Sequence, residues 1–144
     1  MASRSTEILQ ALVNVLRSSG DFRSVDLDAS PQADAVPRCS VIYEGQELFQ
    51  PDDAAATQWG RLRLSLVIHT RSEDVSQAVC RVDELCDQAE ASILADPFQG
   101  GLCLDLPIGR ATEVGRRQLV RSLKRPEVEM SLDVRCHFEV EEAA

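Results

Sequence analysis

The stretch Glu127-Val128-Glu129-Met130-Ser131-Leu132-Asp133-Val134-Arg135-Cys136-His137-Phe138-Glu139-Val140-Glu141 decides the fold. Every even position is apolar and every odd position is polar or charged. A period of two sustained over that length specifies a long antiparallel strand, one face packed on a core and the other turned to water. Trp59 to Thr70 repeats the pattern, with Leu62, Leu64, Leu66 and Ile68 alternating against Arg61, Arg63, Ser65, Val67 and His69. Arg38 to Leu48 supplies Cys39, Val41 and Tyr43 in one register before Gly45 interrupts it. The polar run Gln50 to Thr57 between these two segments reads as a hairpin tip.

Two helices accompany the strands. The first is expected from Thr6 to Ser18, with Ser5 as N-cap, Glu7 in the first turn, Gly20 past the end, and Ile8, Leu9, Leu12, Val15 and Leu16 on one face. Phe22, Val25 and Leu27 suggest a short strand before Ser30-Pro31. The second helix opens at Ser72-Glu73-Asp74 and runs to about Ala95, where Asp96-Pro97 stops it. Val75, Val79, Val82, Cys86, Ala89 and Ile93 form its core stripe, and Asp83, Glu84, Asp87 and Glu90 an acidic, solvated side.

Leu102, Leu104 and Leu106 form a short apolar register ended by Pro107. Ile108 to Arg125 is harder to place. Leu119, Arg121 and Leu123 could continue a strand, but Gly109, Gly115 and Pro126 favour an extended arm that leaves and rejoins the sheet. The expected architecture is therefore one α+β domain spanning residues 1–144: a mainly antiparallel sheet packed by two helices, in the order α-β-β-β-α-β-β, with a long basic connection before the last strand. A chain of 144 residues, 44% hydrophobic and 27% charged, suits a single globular domain with one core.

The net charge is −9, which disfavours bare nucleic acid and anionic membranes as partners. That charge is unevenly placed. Acids well outnumber bases up to residue 109, whereas 110–125 holds Arg110, Arg116, Arg117, Arg121, Lys124 and Arg125 against Glu113 alone. Such a basic segment on an acidic body has two readings. It is a loop neutralised by acids of its own molecule, or it meets the acidic face of a neighbouring copy. Asp52 and Asp53 in the hairpin tip are further candidates for subunit or partner contacts. Duplex binding is weaker, because no aromatics interleave the arginines.

Five cysteines at irregular spacing, without a Cys-x-x-Cys pair, read as reduced thiols of a cytoplasmic chain, and no run approaches the ~20 apolar residues of a membrane span. His69 and His137 could meet across the sheet, but no cysteine or carboxylate set accompanies them. Gly100-Gly101, Gly109 and Gly115 match neither phosphate-binding fingerprint and read as turns. No catalytic constellation is apparent, so no enzyme activity, cofactor or metal is expected. A dimeric ferredoxin-like module that holds a small ligand near Tyr43, Trp59 and the two histidines is the alternative from a different class.

The element order, together with Thr6-Glu7-Ile8-Leu9-Gln10-Ala11-Leu12, Pro37-Arg38-Cys39-Ser40-Val41-Ile42-Tyr43, Thr57-Gln58-Trp59 leading to Arg61-Leu62-Arg63-Leu64-Ser65-Leu66-Val67, the helix Asp74 to Asp96 and the alternating last strand, resembles the tail terminator, or minor tail, proteins of long-tailed bacteriophages. The resemblance covers nearly the whole chain. It implies a hexameric ring on the head-proximal end of the tail tube, first in the host cytoplasm and then in the virion. Such a ring ends tube polymerisation and presents a head-tail joining surface. The implied partners are further copies, the major tail tube protein and a head-tail connector protein, with DNA passing through without sequence-specific binding and no membrane contact. A different head-tail connector or a tube protein shares the same pattern. The arm's basic residues exceed the general pattern of the family, so their role does not transfer from it.

Overall fold

The computed structural model describes residues 3–27, 36–50, 58–121 and 126–140. Helix α1 (Arg4–Ser18) is followed by β1 (Ser24–Leu27), β2 (Arg38–Phe49), β3 (Trp59–Arg71), helix α2 (Val75–Leu94), β4 (Thr112–Arg121) and β5 (Glu127–Glu139). This is the expected α-β-β-β-α-β-β order. The five strands form one sheet in the order β1-β2-β3-β5-β4. All pairs are antiparallel except β1 with β2, where Val25 lies beside Cys39.

The alternation of the two central strands sets the layers. Leu62, Leu64, Leu66 and Ile68 of β3 and Val128, Met130, Leu132, Val134, Cys136 and Phe138 of β5 are buried on one face. Leu62 lies opposite Cys136 and Leu66 opposite Leu132, so the two apolar rows mesh in register. Both helices cover this face. Ile8, Leu12 and Leu16 of α1 and Val82, Leu85, Cys86 and Ile93 of α2 close a single core. Arg61, Arg63, Ser65 and Val67 lie on the opposite face, which no described helix covers.

The helix starts are capped as their sequences allow. Asp74 accepts the Gln77 backbone N–H at 2.9 Å. At α1 the cap is Ser3, not Ser5, with its Oγ accepting the Thr6 N–H at 3.2 Å. Ser5 lies instead inside the first turn, where it is buried and hydrogen-bonded to Gln46 of β2. The α2 stripe is also rotated from the expected one. Ala78 and Leu85 are buried, Val79 is half-buried and Val75 is exposed.

Leu102 to Leu106 is not a strand. Gly100 and Gly101 adopt positive φ (69° and 90°), and the chain turns back after Pro107 through paired backbone bonds between Leu106 and Gly109. Among the described residues no helix is long and apolar enough to cross a membrane.

Candidate functional site

The basic segment is the first place to test for a contact surface. It does not leave the sheet between Thr112 and Arg121: those residues form β4, an edge strand paired with β5. A bulge between Val114 and Arg117 makes this possible. Val114 lies beside Val134 and faces the core, two further residues oppose Asp133, and Arg117 then lies beside Leu132 on the core side. The bulge absorbs Gly115 and Arg116.

This geometry distributes the arginines. Arg117 reaches under the sheet to α2, donating to Asp83 at 3.0 Å, Asp87 at 2.7 Å and Glu90 at 3.2 Å. The bond to Asp87 first, then those to its neighbours, raises the guanidinium pKa further. Arg117 is thus neutralised by acids of its own molecule. Arg116 stands exposed at the bulge, and among the described residues it forms no ion pair. Arg110 is exposed beside a groove of about 690 Å³ that Leu94, Phe98, Asp105 and Glu113 also line. Arg121 ends β4 opposite Val128. Lys124, Arg125, Asp52 and Asp53 lie outside the described residues.

The uncovered sheet face carries two polar clusters that single-residue reading missed. At the hairpin end, His137 is fully buried although it holds a polar-face position. Its Nδ1–H donates to the Arg110 carbonyl at 2.5 Å, and its Nε2 accepts from Arg61 Nε at 2.9 Å. Arg61 also donates to the Ile108 carbonyl at 2.9 Å, approaches Glu47 at 3.9 Å and lies 4.9 Å over the Phe49 ring. The turn at Ile108-Gly109-Arg110 is thus fastened over the sheet. Gly109 is required there, since a Cβ would lie 2.5 Å from His137 Cε1.

At the other end His69 sits among Arg38, Glu127 and Glu129, with its ring nitrogens 3.4 Å from Glu127 and 3.5 Å from Glu129. Burial, then Arg38, pushes the His69 pKa below its ordinary value, and the two glutamates do not fully offset them. Arg71 bonds Glu127 and Arg38 lies 3.9 Å from Glu129, so the cluster alternates in sign.

The two histidines do not meet. His69 pairs in register with Glu129 and His137 with Arg61, eight positions apart along the strands, roughly 27 Å. Tyr43 shares the core side with Leu64, whereas Trp59 shares the uncovered side with Arg61. The expected four-residue ligand pocket is not assembled. Among the described residues no group of three or more His, Cys, Asp or Glu could hold a metal. Cys39, Cys86, Cys103 and Cys136 are buried free thiols, and burial pushes Cys39 up to about 12 and Cys86 up to about 11.

No family model matches the sequence. No curated protein matches it either. Among solved structures, the chain is similar to one in the virion of a native gene transfer agent particle, at 15% identity and a TM-score of 0.46, with 95% of each chain covered. At that distance the likeness does not identify the chain.

Proposed function

We propose that this protein is a non-enzymatic structural component of a long-tailed bacteriophage particle. In this reading it forms a ring, hexameric as in the tail terminator proteins it resembles, on the head-proximal end of the tail tube. The ring stops tube growth and offers the surface to which a head-tail connector joins. The observation that carries the reading is the order of elements: helix, short strand, long hairpin with a polar tip, helix and two closing strands in one sheet. That order spans the chain and agrees with the family pattern.

Termination is then steric. A subunit that caps an exposed tube end, and presents no equivalent end of its own, halts addition without bond-making chemistry. The hairpin tip with Asp52 and Asp53, and the basic residues Arg110, Arg116, Arg121, Lys124 and Arg125, are the proposed contacts with copies, tube or connector. Arg117 is committed to α2 within its own subunit.

Light scattering and negative-stain imaging of the purified protein, alone and mixed with tail tubes assembled without it, test this reading. Rings, or caps at one tube end, are the expected result. A stable dimer that ignores tubes would overturn it in favour of a different role, and long self-assembled tubes would make the chain the tube protein.

A further inference from the structure

Among the described residues, the sheet has two edges with unpaired stretches. β4 is paired only with β5 among the described residues. On the opposite side β1 pairs with β2 only from Arg38 to Val41, so among the described residues nothing pairs with the outer edge of Ile42–Phe49. Unpaired strand edges of this length present rows of backbone donors and acceptors to another chain.

The two edges carry opposite charge. Each has a bulge with one exposed ionic residue at it: Glu44 between Tyr43 and Gly45 on β2, and Arg116 between Val114 and Arg117 on β4. Neither residue forms an ion pair among the described residues. Exposed apolar side chains accompany them, Tyr43 at 44% and Leu48 at 51% on β2 and Val120 at 50% on β4. Two β4 edges brought together would oppose Arg116 to itself, and two β2 edges would do the same with Glu44. The unlike edges fit each other.

Direction and offset agree with this pairing. β2 and β5 both run antiparallel to β3, and β4 runs antiparallel to β5, so β4 is antiparallel to β2. Copies set side by side in the same orientation therefore bring antiparallel edges together. The free part of β2 lies toward the hairpin end, whereas β4 lies opposite Val128 to Cys136. The two overlap at their bulges: Glu44 lies level with Val134 and Arg135 of β5, and Arg116 level with Asp133, so the part of β4 that meets the free edge of β2 runs from Thr112 to Arg116.

We propose that a second copy of this chain docks head to tail here, with Thr112 to Arg116 of one subunit's β4 edge running antiparallel along the free part of β2 in the next and Arg116 facing Glu44 across the boundary. The contact is heterologous, so repetition gives a ring or an open helix. Its closure into a ring rests on the tail-end reading above.

Charge reversal tests it, with assembly of the full chain measured by sedimentation, alone and on tube ends. E44R and R116E are each expected to weaken assembly by roughly tenfold or more. An equal mixture of the two is expected to restore it, because every boundary in an alternating assembly then brings one acid against one base. The double variant E44R/R116E should assemble like the parent for the same reason. Single reversals that assemble normally, or a mixture and double variant no better than the singles, would overturn the edge pairing. If the parent forms rings or caps while the reversals change nothing, only this boundary is wrong. If the parent never assembles in either setting, the tail-end reading fails with it.

Discussion

Gly109 shows how one residue without a side chain fixes a loop to the sheet. The turn it occupies supplies two carbonyls, of Ile108 and Arg110, that receive N–H groups from Arg61 and His137. In Gly109→Ala the new methyl would overlap the buried His137 ring and lie 3.0 Å from Glu113 Oε1. Overpacking of this kind costs about 1–3 kcal/mol, so a fall in Tm of roughly 3–10 °C is expected by calorimetry. An unchanged Tm would mean that the turn is not fastened as described. His69 gives a pH signature at the other end of the same face. Its folded pKa is held below the ordinary 6.5, so the unfolded chain binds the proton more readily. Its contribution is fully present above about 6.5 and is lost as pH falls through and below that value. The urea midpoint should drop from pH 7 to pH 5, and His69→Gln should reduce that drop. An equal drop in both proteins would assign it to other groups.

At the scale of elements, β4 explains both what the sequence reveals and what it hides. β3 and β5 keep their period of two along their length, so their boundaries and inward faces are readable from Leu62 to Ile68 and from Val128 to Phe138. β4 changes parity at its bulge: Thr112 and Val114 point inward before it, Arg117 and Leu119 after it. With two glycines nearby and basic residues on both faces, such a strand has no alternation to detect. Leu102, Leu104 and Leu106 mislead in the opposite sense, alternating by chance within a connection that turns on Gly100, Gly101 and Gly109. The arginines of β4 were legible as a group, but not the side on which each would lie, because that depends on the bulge. Arg117 and Arg116 should therefore behave differently. Arg117→Ala leaves three carboxylates of α2 without their shared cation. Because all four side chains are partly in water, the loss should be about 1 kcal/mol, or roughly 2–4 °C in Tm, and should shrink in ~0.5 M salt. Arg116→Ala should leave Tm unchanged within about 0.5 kcal/mol, since among the described residues its exposed side chain forms no ion pair. Equal losses in thermal melts of the two variants would contradict this division.

At the scale of the whole molecule, the described residues form a two-layer body whose helices close one side of a sheet, while the turn at Ile108-Gly109-Arg110 covers one end of the other side. One core holds the layers together, and the charges sort around it: acids on α2, arginine at the β4 edge, acid at the β2 edge, and mixed clusters at each end of the uncovered face. Such a body suits repetition around an axis. In the proposed role the repeated body ends a tail tube. Its most direct test is the length of tubes elongating from purified tube subunits, measured over time by electron microscopy with and without this protein. Substoichiometric protein is expected to arrest growth at one end, with a cap visible there and tube lengths fixed from the moment of addition. Tubes that keep growing at the control rate, with the protein absent from their ends, would contradict it.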